Sequence, residues 1–178
     1  NQIFILTIFL YFFNIDLLGQ DFNIQSTEIE IMEKGNLIVG KKGVKIETND
    51  SLRIEGENSE YDKKLNVLKI FGNVKVHDKI NNILIKSEKI NYLKNKELIF
   101  TEGESAVELE NKYLINSSNL NFNRKLMTFF SDKKTVIIDN RGHYFKLDKF
   151  NFDITNKILE GKNAFLKDLE PCFKWWGT

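Results

Sequence analysis

Apolar residues recur at every second position along most of the chain. The pairs Leu52/Ile54, Val74/Val76, Ile83/Ile85, Val107/Leu109, Leu120/Phe122, Val136/Ile138, Phe145/Leu147 and Phe150/Phe152 mark this rhythm. Successive side chains of a strand point to opposite faces, so the period predicts strands with one dry face and one wet face. On that reading Glu28, Glu30 and Glu33 form the wet side of the first strand. Turn formers separate the runs: Lys34-Gly35-Asn36, Asp62-Lys63-Lys64, Lys94-Asn95-Lys96, Asn123-Arg124-Lys125, Asn140-Arg141-Gly142 and Thr155-Asn156-Lys157. Asn, Asp and Gly tolerate the positive φ of tight hairpins. Short strands with a turn every eight to twelve residues or so predict an antiparallel sandwich, roll or barrel. No helix is expected after residue 20.

A longer period overlies the shorter one. Tyr61, Tyr92, Phe122 and Phe152 are spaced by 31, 30 and 30 residues. After each comes a turn, an apolar pair, and then Gly72, Gly103, Lys133 or Gly161. A weaker first copy runs from Met32 through Leu37-Ile38-Val39 to Gly43-Val44. The expectation is about five 30-residue copies over residues 24–168, each a hairpin-like rung. One hairpin cannot cover its own apolar face, so the rungs must stack into facing sheets. Such a stack leaves unpaired edge strands at its ends, here about residues 24–33 and 144–166.

The ends of the sequence differ from its middle. Residues 3–13 are apolar except Thr7, and Leu17-Leu18-Gly19 follows. That length fits a secretory h-region better than a bilayer span of about 20 residues. Residues 1–20 are therefore read as a signal peptide cut near Gly19 or Gln20, with an uncleaved anchor as the alternative. The single Pro (Pro171), the single Cys (Cys172) and both Trp (Trp175, Trp176) fall in the last eight residues. Residues 169–178 are read as the tail of a fragment, and 21–168 as one domain.

Composition narrows the chemistry. Lys plus Arg number 26 and Asp plus Glu 25, leaving a net charge of +1 with the signs interspersed. A nucleic-acid binder releases counterions from a basic face, so that class is disfavoured. One Cys excludes an internal disulfide framework and a thiolate zinc cage. Two histidines, His77 and His143, leave little material for a metal site or an acid/base centre. Ser117, His143 and Asp148 could be drawn as a triad, but no G-x-S-x-G elbow supports it. No cofactor, no metal and no catalytic residue is expected.

The frame Tyr61-Asp62, Leu68, Gly72-Asn73-Val74-Lys75-Val76, followed by Ser87-Glu88-Lys89-Ile90-Asn91-Tyr92, resembles the OstA-like family of lipopolysaccharide transport. That family comprises LptA, the N-terminal domain of LptD and, more distantly, LptC. The resemblance covers about residues 24–168, and Lys133 departs from its Gly position. It implies an antiparallel, V-shaped two-sheet β-jelly roll in the periplasm, without enzymatic activity. The groove between the sheets receives lipopolysaccharide acyl chains. Domains join head to tail by β-augmentation with other Lpt β-jelly-roll domains. An LptD-like chain would continue into an outer-membrane barrel, and that membership is favoured over a short LptA. The expected groove walls are the inward positions Ile54, Tyr61, Ile70, Val74, Val76, Ile85, Tyr92, Val107, Leu109, Leu120, Phe122, Phe129, Val136, Phe145, Phe150 and Phe152. Exposing one acyl chain to water costs on the order of 10 kcal/mol, at about 0.8 kcal/mol per CH₂. A continuous apolar cover is the physical requirement. The competing class is a structural β-solenoid or adhesin-like module with a filled core and no lipid.

Overall fold

A computed structural model describes residues 22–168. The chain is all-β and antiparallel. Its strands are β1 (Asn23–Met32), β2 (Leu37–Glu47), β3 (Leu52–Gly56), β4 (Asn58–Asp62), β5 (Val67–Asp78), β6 (Ile83–Leu93), β7 (Leu98–Leu109), β8 (Tyr113–Ser118), β9 (Asn121–Asn123), β10 (Thr128–Ser131), β11 (Thr135–Asp139), β12 (His143–Leu147), β13 (Lys149–Asp153), β14 (Ile158–Lys162) and β15 (Phe165–Asp168). The only helical pieces among the described residues are single 3-10 turns at Glu33–Gly35 and Lys94–Lys96.

The strands form two facing layers that share their longest members. In the first layer the order is β1, β2, β4, β5, β6, β7, β9, β10, β13, β14; in the second it is β1, β2, β3, β5, β6, β7, β8, β11, β12, β15. β2, β5, β6 and β7 cross from one layer to the other at a common crease. Pairing registers shift there, between Ser26 and Glu28, Phe71 and Val74, and Ser87 and Lys89. Gly72 and Gly103 lie at the bends of β5 and β7 with φ of +78° and +82°. Glycine enters that region without a Cβ clash, so the strand turns the corner and stays paired. Where the third copy places Lys133, the strand breaks into β10 and β11 instead.

The 30-residue spacing has a structural meaning. Ile31, Ile38, Tyr61, Leu68, Tyr92, Ile99, Phe122, Phe129, Phe152 and Leu159 are successive cross-strand partners and make one inward row of the first layer. The row starts at Ile31, not at Met32, which pairs with Leu37 on the outer face. One residue of slip exchanges faces. The second layer has a matching row: Ile24, Ile46, Ile54, Val76, Ile85, Val107, Ile115, Ile137, Phe145 and Leu166. Between these rows lies the core, nearly all of it buried.

Candidate functional site

The space between the layers has a crease, a mouth and two ends, and each has its own chemistry. Fourteen of the sixteen expected wall residues are buried there: Ile54, Tyr61, Ile70, Val74, Val76, Ile85, Tyr92, Val107, Leu109, Leu120, Phe122, Phe129, Phe150 and Phe152. Phe145 also faces inward but is half-buried. Val136 does not belong to the set. It pairs with Asn116 and Lys146 on the outer face, and Ile137 takes the inward place opposite Ile115 and Phe145. Three apolar residues stand in sequence at 136–138, so alternation alone does not choose the face.

Along its middle the interior is packed by its own side chains. Phe122 stacks on Phe129 with centroids 4.4 Å apart. Tyr113 of the second layer meets Phe152 of the first edge-on at 5.3 Å. Phe22 enters between the layers and packs edge-on against Tyr61 at 4.8 Å and Tyr92 at 5.7 Å. Phe22 precedes the first periodic run, so the alternation did not mark it.

Hydroxyl groups line the crease. Ser117 Oγ shares a hydrogen bond with Thr135 Oγ1 at 2.7 Å, Ser105 Oγ donates to the Ser117 carbonyl, and Ser131 Oγ donates to the Ser118 carbonyl. They satisfy backbone and side-chain groups that the bends leave without ladder partners. Ser59 Oγ is buried without a hydrogen-bond partner among the described residues, against Gly40. A concavity of about 620 Å³ runs over the outside of the bends, lined by Asn73, Lys75, Lys86, Glu88, Asn116 and Lys134 among others. Its lining mixes these charged and amide side chains with the apolar Val74 and Ala106.

The mouth is bridged by ions. Arg124, in the β9–β10 turn of the first layer, reaches the second layer. Its Nη1 donates to Asp50 at 2.6 Å and its Nε to Asp78 at 3.4 Å; Nη1 also contacts Glu97 at 2.6 Å and Tyr92 Oη at 3.0 Å. The Asp78 side chain is 1% exposed and that of Arg124 is 9% exposed. Asp78 also accepts both the backbone N–H and the Nδ2 of Asn81. Lys94 joins through Glu97 and Asp50, and Lys157 spans the mouth again to Glu110 at 2.8 Å. Burial by itself would raise the Asp50 carboxyl, but hydrogen bonds from Thr48 and Arg124 and the Arg124 and Lys94 charges hold it well below the usual carboxylate range. Burial, then the hydrogen bond to Glu97, pushes the Tyr92 phenol up to about 12. These partners are 46 and 74 residues apart for Asp78 and Asp50, which no local pattern reveals.

Among the described residues the two ends are uncovered. Ile29 and Ile31 of β1 belong to the inner face, yet Ile31 is 67% exposed. At the other end Leu166 closes the second-layer row and is 61% exposed. Leu159 and Phe145 lie beside it, half-buried.

The residues of the drawn triad are each engaged elsewhere: Ser117 with Thr135, His143 with Asp139 at 2.7 Å, and Asp148 with Asn163 at 2.8 Å. Hydrogen bonds from the His143 ring, the His143 N–H and the Arg141 N–H outweigh burial and lower the Asp139 carboxyl to about 2. No helix among the described residues is long and apolar enough to cross a membrane. The leader 1–20 and the tail with Cys172, Trp175 and Trp176 lie outside the described residues.

Comparison with protein-family models finds no match, and none of the curated proteins matches. Among solved structures, the chain is similar to LptH of Pseudomonas aeruginosa, described as the LptA-homologous periplasmic component of the lipopolysaccharide transport device. The identity is 13%, the alignment covers 84% of this chain and 95% of that one, and the TM-score is 0.47.

Proposed function

We propose that the chain is a non-enzymatic module of periplasmic lipopolysaccharide transport, covering acyl chains between its layers and abutting like modules at its terminal strands. One observation carries this reading: among the described residues the inward apolar rows end on exposed side chains at both ends, at Ile29 and Ile31 and at Leu166. A self-sufficient sandwich would cover those positions. β1 at one end, and β14 and β15 at the other, have one strand neighbour each among the described residues. Their outer edges offer main-chain N–H and C=O groups for β-augmentation, which asks little of side-chain identity. The OstA-like frame at Tyr61–Tyr92 supplies the cargo class. Residues 1–20 are the export signal in this reading, and 21–168 the periplasmic domain of an LptD-like or LptA-like chain.

Acyl chains meet the rows first at the ends. Further entry parts the layers along the mouth, against the Arg124 ion pairs. The walls of this path are the buried positions named above, and no single one is indispensable.

The test is titration of the folded protein with a fluorescent acyl probe. Saturable binding, displaced by lipopolysaccharide, is expected. Ile31→Lys and Leu166→Lys sit on exposed positions, so unfolding should be unchanged within about 0.5 kcal/mol. Both should abolish end-to-end association in sedimentation velocity. A second reading is favoured by the contact of Tyr113 with Phe152 across the two layers: a structural, adhesin-like module with a filled core. Correctly folded protein that takes up no probe would establish that reading and discard the carrier.

A further inference from the structure

The hairpin turns of the first layer form a rim outside the interior. Each turn is tied to the previous one by a backbone hydrogen bond: Lys63 N–H to Asn36 O, Lys94 N–H to Asn66 O, and Arg124 N–H to Glu97 O. Adjacent turns are two strands apart, about 10 Å. The rim is thus a fixed ridge with regular spacing. Three of its turns carry a lysine followed by a bare aliphatic residue: Lys64-Leu65, Lys125-Leu126 and Lys157-Ile158. Lys79-Ile80 repeats the pair on a turn across the mouth. The four aliphatic side chains are between 53% and 71% exposed.

The turns of this ridge carry eight cations (Lys34, Lys63, Lys64, Lys94, Lys96, Arg124, Lys125 and Lys157) against four carboxylates (Glu33, Asp62, Glu97 and Asp153). On the strands some lysines pair across the ladder, as Lys41 does with Glu30, Lys86 with Glu108 and Lys89 with Glu102, while others such as Lys69, Lys75, Lys146 and Lys149 take part in no ion pair among the described residues. The rim carboxylates keep their negative charge while they brace the turns. Asp62 accepts the Leu65 N–H, Asp153 accepts the Asn156 N–H, and Glu97 holds Lys94 and Arg124. Lys63, Lys64, Lys79, Lys96 and Lys125 take part in no ion pair among the described residues. A near-neutral chain therefore shows one cationic ridge studded with aliphatic side chains.

We propose that this rim is a docking edge for an anionic lipid bilayer. Aliphatic tips enter the boundary between head groups and acyl chains, while the neighbouring ammonium groups meet lipid phosphates. A soluble anion would explain the lysines but not the aliphatic residues. The inference is independent of the carrier reading, since it places no lipid between the layers.

The experiment uses the full chain carrying Cys172→Ser, with an environment-sensitive fluorophore at Leu126→Cys or, as a control at the crease, at Lys75→Cys. Vesicles of phosphatidylcholine with phosphatidylglycerol should blue-shift the label at 126 and leave that at 75 unchanged; phosphatidylcholine alone should do neither. Lys63→Gln, Lys64→Gln and Lys125→Gln together should weaken the response roughly 100-fold, about five-fold per lysine. Circular dichroism of the triple variant should match the parent. Because binding through any other segment would leave 126 in water, a response absent at 126, equal at 75, or unaffected by the lysine changes overturns the proposal. Competition by inorganic phosphate beyond that of sodium chloride at equal ionic strength would overturn it as well, assigning the lysines to a soluble anion.

Discussion

Removing the Arg124 guanidinium tests whether the mouth is held by ions. In Arg124→Leu the Asp78 carboxylate, 1% exposed, loses its only cation among the described residues. Breaking a buried pair from one side costs about 3–5 kcal/mol, because the remaining charge stays in low dielectric. Asp78 keeps two hydrogen bonds from Asn81, which favours the lower bound. Asp50 and Glu97 are 41% and 28% exposed, so water can solvate them and they add little. The expected loss is about 3 kcal/mol. For a chain of this length that lowers Tm by about 6–12 °C, at roughly 2–4 °C per kcal/mol. Thermal and denaturant unfolding followed by circular dichroism would measure it. Adding Asp78→Asn to Arg124→Leu removes the stranded charge and should recover part of the loss, a coupling of at least about 1 kcal/mol. A loss below about 1 kcal/mol, or strict additivity of the two changes, would refute the latch.

Three further outcomes are expected. Ser59→Ala removes a buried hydroxyl without a partner and should stabilise the fold by about 1 kcal/mol, read as a rise in denaturation midpoint. Gly72→Ala should cost more than the 1–2 kcal/mol or so of a left-handed residue, since its Cβ would lie 2.6 Å from the Glu57 carboxyl group. Gly103→Ala, with nothing within 4 Å of the added carbon, should cost only the conformational part. Acid should weaken the fold: Asp50 and Asp139 are both held below the usual value of 3.8, so their stabilisation is present above about pH 4 and fades as pH falls toward 2. Unfolding measured across that window should lose its steepness in Asp50→Asn/Asp139→Asn, and an unchanged slope would show that other carboxylates dominate.

Much of the core could be read from residue order because strand faces are set by a local period. Tyr61, Tyr92, Phe122 and Phe152 share a row since each copy adds two strands to the first layer, a relation already present in their spacing. Where the local pattern is degenerate the reading failed. Val136, Ile137 and Ile138 are all apolar, and only pairing with Ile115 and Phe145 turns Ile137 inward.

Residue order alone determined the all-β class, the turn positions, the step of the repeat and most inward faces. These follow from backbone sterics and side-chain alternation over a few neighbours. Tertiary structure decided that the middle of the interior is filled, that Arg124 bridges the mouth to Asp50 and Asp78, and that apolar rows emerge uncovered at Ile31 and Leu166. Those outcomes depend on how closely two layers approach and on residues dozens of positions apart, quantities that no window along the chain contains.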